Sequence, residues 1–344
     1  MLKYAVIKET SGAARLFYGA GMQTIKIKNA ADFEKFDFFR NLPFSECVTV
    51  LGFFDGVHIA HRELIAKAKS IAANKNIPLV IFTFSNEDNV KKNTKILFTD
   101  EEKLELFEEL SADYTVIVNF SAISCLSGEE FVNGILVGKL HTNTAVCGYN
   151  FRFGYKAGSD SNDLLRFMKN ANKDAAIMQE YSLDSDTVSS TAIRELLSNK
   201  ELFKAAKFLG APYSISGSVS HGLGVGKKLG IPTVNTEIDI ERFPLPEGVY
   251  ATVLAFDNSF YKALTNIGSC PTVCKRKTHA ETFILDFDGN LYDKKIKIYF
   301  LEFLREEQHF SSTEKLILQI NIDKNRALEL TKEKKWQEIG LNLQ

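Results

Sequence analysis

Tryptophan and methionine are scarce in this chain, one and four among 344 residues, and proline is hardly commoner at seven. So few prolines exclude a proline-rich linker or recognition segment and leave most of the chain open to regular structure. Net charge is lacking as well. With 42 basic and 43 acidic side chains the formal charge is −1 and the pI is near 6.6. That gives no bulk field for a nucleic-acid backbone, and lysine-rich stretches such as Lys324–Lys335 are offset by neighbouring Glu and Asp. No window reaches membrane-spanning length without a charge, and the opening MLKYAVIKETSGAARLFYG has no uninterrupted apolar core, so a cytoplasmic protein is expected. Cysteines are few and odd in number: Cys47, Cys125, Cys147, Cys270 and Cys274. Three fall in apolar segments, which suits buried thiols in a reducing compartment, and Cys270-x3-Cys274 alone is too little for a metal site.

What is present is an ordinary globular composition, 45% hydrophobic and 25% charged, on a chain longer than one average domain needs. Two domains are expected, 1–200 and 201–344. Residues 1–46 carry little signal, with weak strands around Tyr4–Lys8 and Gln23–Ile27 and a turn before Pro43. Strand-like and helical stretches then alternate. Cys47–Phe54 and Pro78–Phe84 read as buried strands, and Thr99-x-x-Glu102 is a capping box ahead of LELFEEL. Strand Tyr114–Val118 follows, then a second capping box, Ser127 to Glu130, ahead of FVNGILVGKL. Strand Thr144–Gly148, a helix from about Asp163 to Lys169 and strand Ala176–Tyr181 complete the series. Repeated βα units predict a doubly wound parallel sheet with helices on both faces, and such sheets bind ligands beyond the carboxyl ends of their strands.

The stretch Cys47–Ser70 changes from strand to helix at two histidines. Asp55-Gly56 is a turn, and from Ile59 onward Leu64, Ile65 and Ala68 recur at helical spacing. His58 and His61 therefore sit at a helix N-terminus, where free backbone N–H groups and the helix dipole favour an anion. Two solvated loop histidines are the alternative. Two further segments follow strands. Gly148-Tyr149-Asn150-Phe151-Arg152-Phe153-Gly154 is either a ligand loop or a packed aromatic corner. In Val188-Ser189-Ser190-Thr191-Ala192-Ile193-Arg194 the serines are natural helix N-caps.

After Glu201–Leu209, a short helix-like link, the pattern changes. Tyr213–Val219 alternates like a strand, and His221 to Gly230 holds four glycines and two lysines, either a loop that approaches a ligand closely or a surface hairpin. Val249–Phe256, Tyr261–Ile267, Ala280–Phe287 and Lys294–Leu304 are joined by tight turns, which predicts an antiparallel β-barrel. Ser311-x-x-Glu314 then caps a long C-terminal helix through about Trp336.

Gly52-Phe53-Phe54-Asp55-Gly56-Val57-His58-Ile59-Ala60-His61 resembles the G-x-F-D-G-V-H-x-G-H signature of the bacterial bifunctional riboflavin kinase/FAD synthetase family. Gly148–Gly154 is similar to its G-x-[DN]-F-x-F-G segment, and Val188–Arg194 to its I-S-S-T-x-I-R element. In the second half, Pro232-Thr233-Val234-Asn235 resembles P-T-A-N, Asn266–Thr272 resembles N-I-G-x-x-P-T, Glu281–Phe287 resembles E-x-H-x-x-D-F, and Phe303–Glu307 resembles F-x-R-x-E. The likeness runs in order from about Val48 to Ala327. It implies a nucleotidyltransferase-type parallel sheet followed by a riboflavin-kinase-type barrel, with riboflavin, FMN and ATP as substrates, Mg²⁺ as cofactor, and neither nucleic acid nor membrane as partner.

The resemblance also implies roles for particular residues. In the first half, His58 and His61 stabilise developing phosphate charge. Gly52, Phe54, Asn150, Ser190, Thr191 and Arg194 bind nucleotide, and Phe151 and Phe153 wall the flavin. In the second half, Gly222, Gly224, Gly226 and Lys227 cover ATP phosphates, Thr233 and Asn235 hold Mg²⁺, Arg305 contacts flavin, and Glu281 is the base for the ribityl 5′-hydroxyl. The chain departs from the family at several places. Ala60 stands for Gly, Ser85-Asn86-Glu87 for P-H-P, Ala192 for a second Arg, Lys227 for Arg, Phe283 for His and Asp293 for Gly. These departures leave two alternatives open: a kinase whose first half is degenerate, and a flavin-binding regulator without catalysis.

Overall fold

The structure, a computed structural model, describes residues 5–6, 16–18, 21–35, 37–87, 95–220, 231–269 and 278–338. The chain divides into two compact units, Met1–Val188 and Ser189–Gln344.

The first unit is built on an eight-stranded sheet. Its strands are β1 (Ala5–Val6), β2 (Leu16–Tyr18), β3 (Gln23–Ile27), β4 (Cys47–Leu51), β5 (Leu79–Phe84), β6 (Tyr114–Val118), β7 (Thr142–Gly148) and β8 (Asp174–Met178). Their spatial order is β1-β2-β3-β6-β5-β4-β7-β8. The six strands from β3 to β8 pair in parallel, and β1 and β2 add an antiparallel edge. Every residue of β4 is buried, because alternate side chains enter two different cores. Cys47 and Leu51 pack with Phe82, Phe131, Leu136 and Leu164 on one face. Val48 and Val50 pack with Leu64, Ile65 and Phe107 on the other. The second face is covered by helices α1 (Ile59–Lys75) and α2 (Asp100–Glu109), the first by α3 (Ser161–Asn170) and a π-helical segment, Phe131–Val137.

Both expected capping boxes form. Thr99 accepts from Glu102 N while Glu102 accepts from Thr99 N, and Ser127 and Glu130 do the same. A third went unread in the sequence: Asp160 caps α3 with Asp163, so that helix starts before the expected Asp163. The last parallel strand ends at Met178 rather than Tyr181, where its partner β7 ends in register at Gly148.

The second unit is a closed antiparallel barrel of β9 (Ser214–Ser220), β10 (Thr233–Glu237), β11 (Gly248–Phe256), β12 (Ser259–Ser269), β13 (Thr278–Ile284) and β14 (Lys295–Arg305). The order around it is β9-β10-β13-β12-β11-β14. Helices α4 (Ser190–Ser198), α5 (Leu202–Leu209) and α6 (Thr313–Leu330) accompany it. Thr252, Thr265 and Thr282, all fully buried on adjacent strands, join their hydroxyls at 2.8 and 2.9 Å. Their neighbours Ala251, Leu264 and Phe283 face the other way, against Ala327 and Leu330 of α6. The threonines therefore line the barrel interior and α6 packs on its outer wall.

Two sequence expectations are corrected here. The N-cap of α6 is Ser312, which accepts from Lys315 N, and the helix stops at Leu330 before a separate short helix, Lys334–Glu338. The link at α5 buries Leu202, Ala205, Ala206, Phe208 and Leu209, so it is an integral amphipathic helix and more than a link.

Candidate active sites

In the first unit the chain leaves β4 through α1 to β5 on one side, while β7 pairs on the other side of β4. This reversal of winding opens a crevice beyond the carboxyl ends of β4 and β7, the usual ligand position in an open α/β sheet. The histidine segment follows β4 and the Asn150 segment follows β7, so both expected segments flank one switch point.

The turn after β4 is tightly held. Phe54, Gly56 and Val57 have φ of 55°, 79° and 39°, a left-handed run that is strained for the β-branched Val57. Asp55, 3% exposed, accepts from the backbone N–H of Leu97 at 2.8 Å, and Arg62 Nε donates to Val57 O at 3.1 Å. Gly52 lies beneath the Phe54 ring; a Cβ there would approach Phe54 Cζ to 2.8 Å. The Phe54 ring itself is fully buried, edge-on to Phe107 and His61, so only its backbone is placed to meet a nucleotide.

His58 takes the N-cap position of α1 in an extended conformation and makes no side-chain cap. It is 4% exposed and stacks on His61 with ring centroids 3.6 Å apart and planes 16° apart. The Nδ1 atoms of both rings are enclosed and have no hydrogen-bonding partner. Burial lowers the His58 pKa to about 4, and burial, then His58 and Lys103, hold His61 well below the ordinary imidazole range. The pair is therefore neutral near pH 7, with ring N–H groups and the free N–H groups of the first turn of α1 as donors. Ala60 is half-buried within that turn.

Beside them lies a residue the sequence did not single out. Lys103 of α2 is fully buried and pairs with Asp100 at 2.9 Å. Its Nζ also donates to Phe84 O at the end of β5 and to Asn86 Oδ1, and sits 5.1 Å from the centre of the Phe53 ring. Ser85 Oγ and Asn86 N donate to Asp100 Oδ2. The Ser85-Asn86 segment is thus fixed from below by a buried ion pair.

Across the crevice Asn150 is exposed and Gly148 half-buried. Phe151 and Phe153 stack at 5.5 Å, but Phe153 is 6% exposed and packs on Phe131 in the sheet core; only Phe151 keeps accessible surface. Ser189 caps α4 by accepting from Ala192 N, with Ser190 and Arg194 half-buried and Thr191 exposed on that helix, which clusters with the second unit.

In the second unit, strand register assembles a polar row. Asn235 lies opposite Glu281, Glu281 opposite Asn266, Asn266 opposite Val249, and Val249 opposite Arg305. Directly paired residues share a face, so the row crosses five strands on the wall that faces α6. One pleat along, Thr233 pairs with Phe283 and Phe283 with Leu264. Apart from Asn235, the two rows floor a cavity of about 500 Å³, roofed by Phe310, Leu316 and Ile320. Arg305 is already engaged: its guanidinium meets Asp323 of α6 at 2.9 Å, and Gln319 donates to the same carboxylate. Asn266 Nδ2 donates to Glu307 Oε1 at 2.7 Å. Asn266, Glu307 and Asp323 had no role in the sequence reading, although the first two lie inside quoted motifs. Gly222, Gly224, Gly226 and Lys227 lie outside the described residues. Among the described residues no cluster of His, Cys, Asp or Glu could hold a metal ion, and no helix is long and apolar enough to cross a membrane.

Comparison with known proteins matches each half separately. A family model described as FAD synthetase covers residues 42–192, and one described as riboflavin kinase covers 209–331. The chain is 33% identical over 284 residues to the bifunctional riboflavin kinase/FMN adenylyltransferase of Listeria monocytogenes, covering 80% of this chain and 90% of that one. It is 32% identical over 296 residues to the protein of the same name in Escherichia coli K12, covering 83% and 93%. A solved structure described as a macrolide-efflux protein from Streptococcus pneumoniae superposes with a TM-score of 0.78 at 24% identity, over 89% of this chain and 98% of that one, a likeness of fold alone.

Proposed function

The chain belongs to the bifunctional riboflavin kinase/FMN adenylyltransferase family, and from that premise we propose that it makes FMN from riboflavin in its second half and FAD from FMN in its first. It is a transferase in both steps, with ATP, riboflavin and FMN as small-molecule substrates. The adenylyltransferase occupies 1–200 and the kinase 201–344, in the cytoplasm.

The observation that carries the reading is the row Asn235–Glu281–Asn266 beside an apolar cavity of flavin size. Glu281 accepts the proton of the ribityl 5′-hydroxyl as that oxygen takes the γ-phosphoryl group of ATP, leaving ADP and FMN. Thr233 and Asn235, two apart on one strand, with Glu281 opposite, present only hard oxygen donors, which fits Mg²⁺. When bound there, Mg²⁺ neutralises phosphate charge. The apolar wall of Phe283, Leu264 and Val249 suits the flavin ring, and Arg305, held by Asp323, closes the row at the flavin end. Gly222, Gly224, Gly226 and Lys227 supply donors to the ATP phosphates.

At the switch point an oxygen of the FMN phosphate attacks the α-phosphorus of ATP and pyrophosphate leaves. His58 and His61 donate to the charge that develops, together with the N-terminus of α1. Gly52, the backbone of Phe54 and Asn150 shape the nucleotide site, and Phe151 offers its free face to the flavin; for Ser190, Thr191 and Arg194 of α4 a phosphate-binding role rests on the family resemblance alone.

Incubating the protein with riboflavin, Mg²⁺ and ATP and separating FMN from FAD tests the whole. Both products are expected. FMN alone would retire the first site, and no ATP consumption would reduce the protein to a flavin binder.

A further inference from the structure

We propose that Asn266 is a positioning residue in the kinase site, its amide oxygen accepting a hydrogen bond from a hydroxyl of the substrate's polyol chain. The inference rests on the kinase reading above. Asn266 lies directly across β12–β13 from Glu281 and lines the same cavity. Its Nδ2 donates to Glu307 Oε1 at 2.7 Å. A carboxylate can only accept, so Glu307 fixes the orientation of the amide and leaves Oδ1 on the other side. That oxygen is enclosed and has no hydrogen-bonding partner.

A buried acceptor without a donor is unfavourable, and although Thr233, Gln308 and His309 bring donors to the cavity wall, none of them bonds Oδ1. Glu281 and Glu307 are acceptors when ionised, and Arg305 is taken up by Asp323. The missing donor therefore belongs to the ligand. A flavin ring edge facing Oδ1 would present mostly acceptors, whereas a polyol chain presents several O–H donors. A hydroxyl held at Oδ1 places its chain neighbour beside Glu281, which is what proton removal from the terminal alcohol requires. Gly268 belongs to the same arrangement: a methyl group there would come within 2.8 Å of Glu307 Oε1 and push the carboxylate off Asn266.

The test is calorimetric titration of the full chain with riboflavin and with lumiflavin, which has the same ring system and no hydroxylated chain. For Asn266→Ala, riboflavin affinity is expected to weaken roughly 5- to 100-fold, the range for leaving a hydroxyl unpaired in a buried site, while lumiflavin affinity stays as in the unsubstituted protein. Asn266→Val, better suited to a strand, should repeat the result. Unchanged riboflavin affinity overturns the proposal, as does equal weakening of both ligands. Loss of the native circular dichroism spectrum in both variants would make Asn266 structural and also overturn it. If the unsubstituted protein bound no riboflavin, the kinase reading would fall first and this inference with it.

Discussion

His58 and His61 stack face to face, ring centroids 3.6 Å apart, and the charge of the buried Lys103 acts on His61. Protonating either ring places a charge in an enclosed site against the other ring and against that ammonium. Both folded-state pKa values are depressed, His58 to about 4, against 6.5 for the free side chain. Between about 6.5 and about 4 the unfolded chain binds more protons than the folded one, so stability falls as pH falls through that window. Urea unfolding followed by circular dichroism at pH 7 and pH 5 should show a larger loss in the native protein than in His58→Gln/His61→Gln. Equal losses would mean the pair is hydrated and titrates normally.

Removing the ammonium beneath the crevice strands its partner. Lys103→Met leaves Asp100, 8% exposed, as an uncompensated buried charge, and breaks the support of Phe84 O and Asn86. Loss of one partner of a buried pair destabilises by about 3–5 kcal/mol. Thermal unfolding should show the first unit melting earlier with the barrel transition unmoved, and Asp100→Asn added to Lys103→Met should recover part of the loss. No shift would show the pair to be solvated.

Gly52→Ala places a methyl group 2.8 Å from the buried Phe54 ring, which Phe107 and His61 hold on its other sides. Overpacking of this kind costs about 1–3 kcal/mol, and the displaced ring carries the histidine turn with it. FAD formation from supplied FMN should drop while FMN formation from riboflavin is unchanged. If both rates held, Phe54 would have room to move.

The architecture was legible because local signals agreed with it. Apolar but for Thr49, β4 reads as a strand buried on both faces and is one. Asp257 and Asn258 read as a hairpin turn and take φ of 52° and 61°, as a two-residue turn between twisted strands requires. Lys103 was not legible, since a lysine in an amphipathic helix reads as surface, and only Asp100 with the end of β5 makes its burial tolerable. Phe153 carried two readings, and the core claimed it because Phe131 sits within 5.7 Å. The row from Asn235 to Arg305 joins residues far apart in sequence. Strand register alone decides that Asn266, rather than a neighbour, faces Glu281. The motif containing Asn266 was visible, but its role depended on where Glu307 reaches.

Glu281→Gln keeps the shape of the row but cannot accept a proton. FMN formation should fall by about 10²–10⁴ with riboflavin binding retained, as for loss of a general base. A decrease below roughly tenfold would make Glu281 structural and turn attention to Asp286.

The central claim is that one chain carries two separable transferase sites, and His58→Ala/His61→Ala measures it most directly. FMN and FAD are quantified after incubation with riboflavin, Mg²⁺ and ATP, and FAD again with FMN supplied. Losing two donors to developing phosphate charge corresponds to several kcal/mol, about 10³-fold or more in rate. The account predicts that FAD formation disappears from both assays while FMN formation continues at the native rate. FAD formation that survives the double substitution, or FMN formation that falls with it in a protein that remains folded, would contradict it.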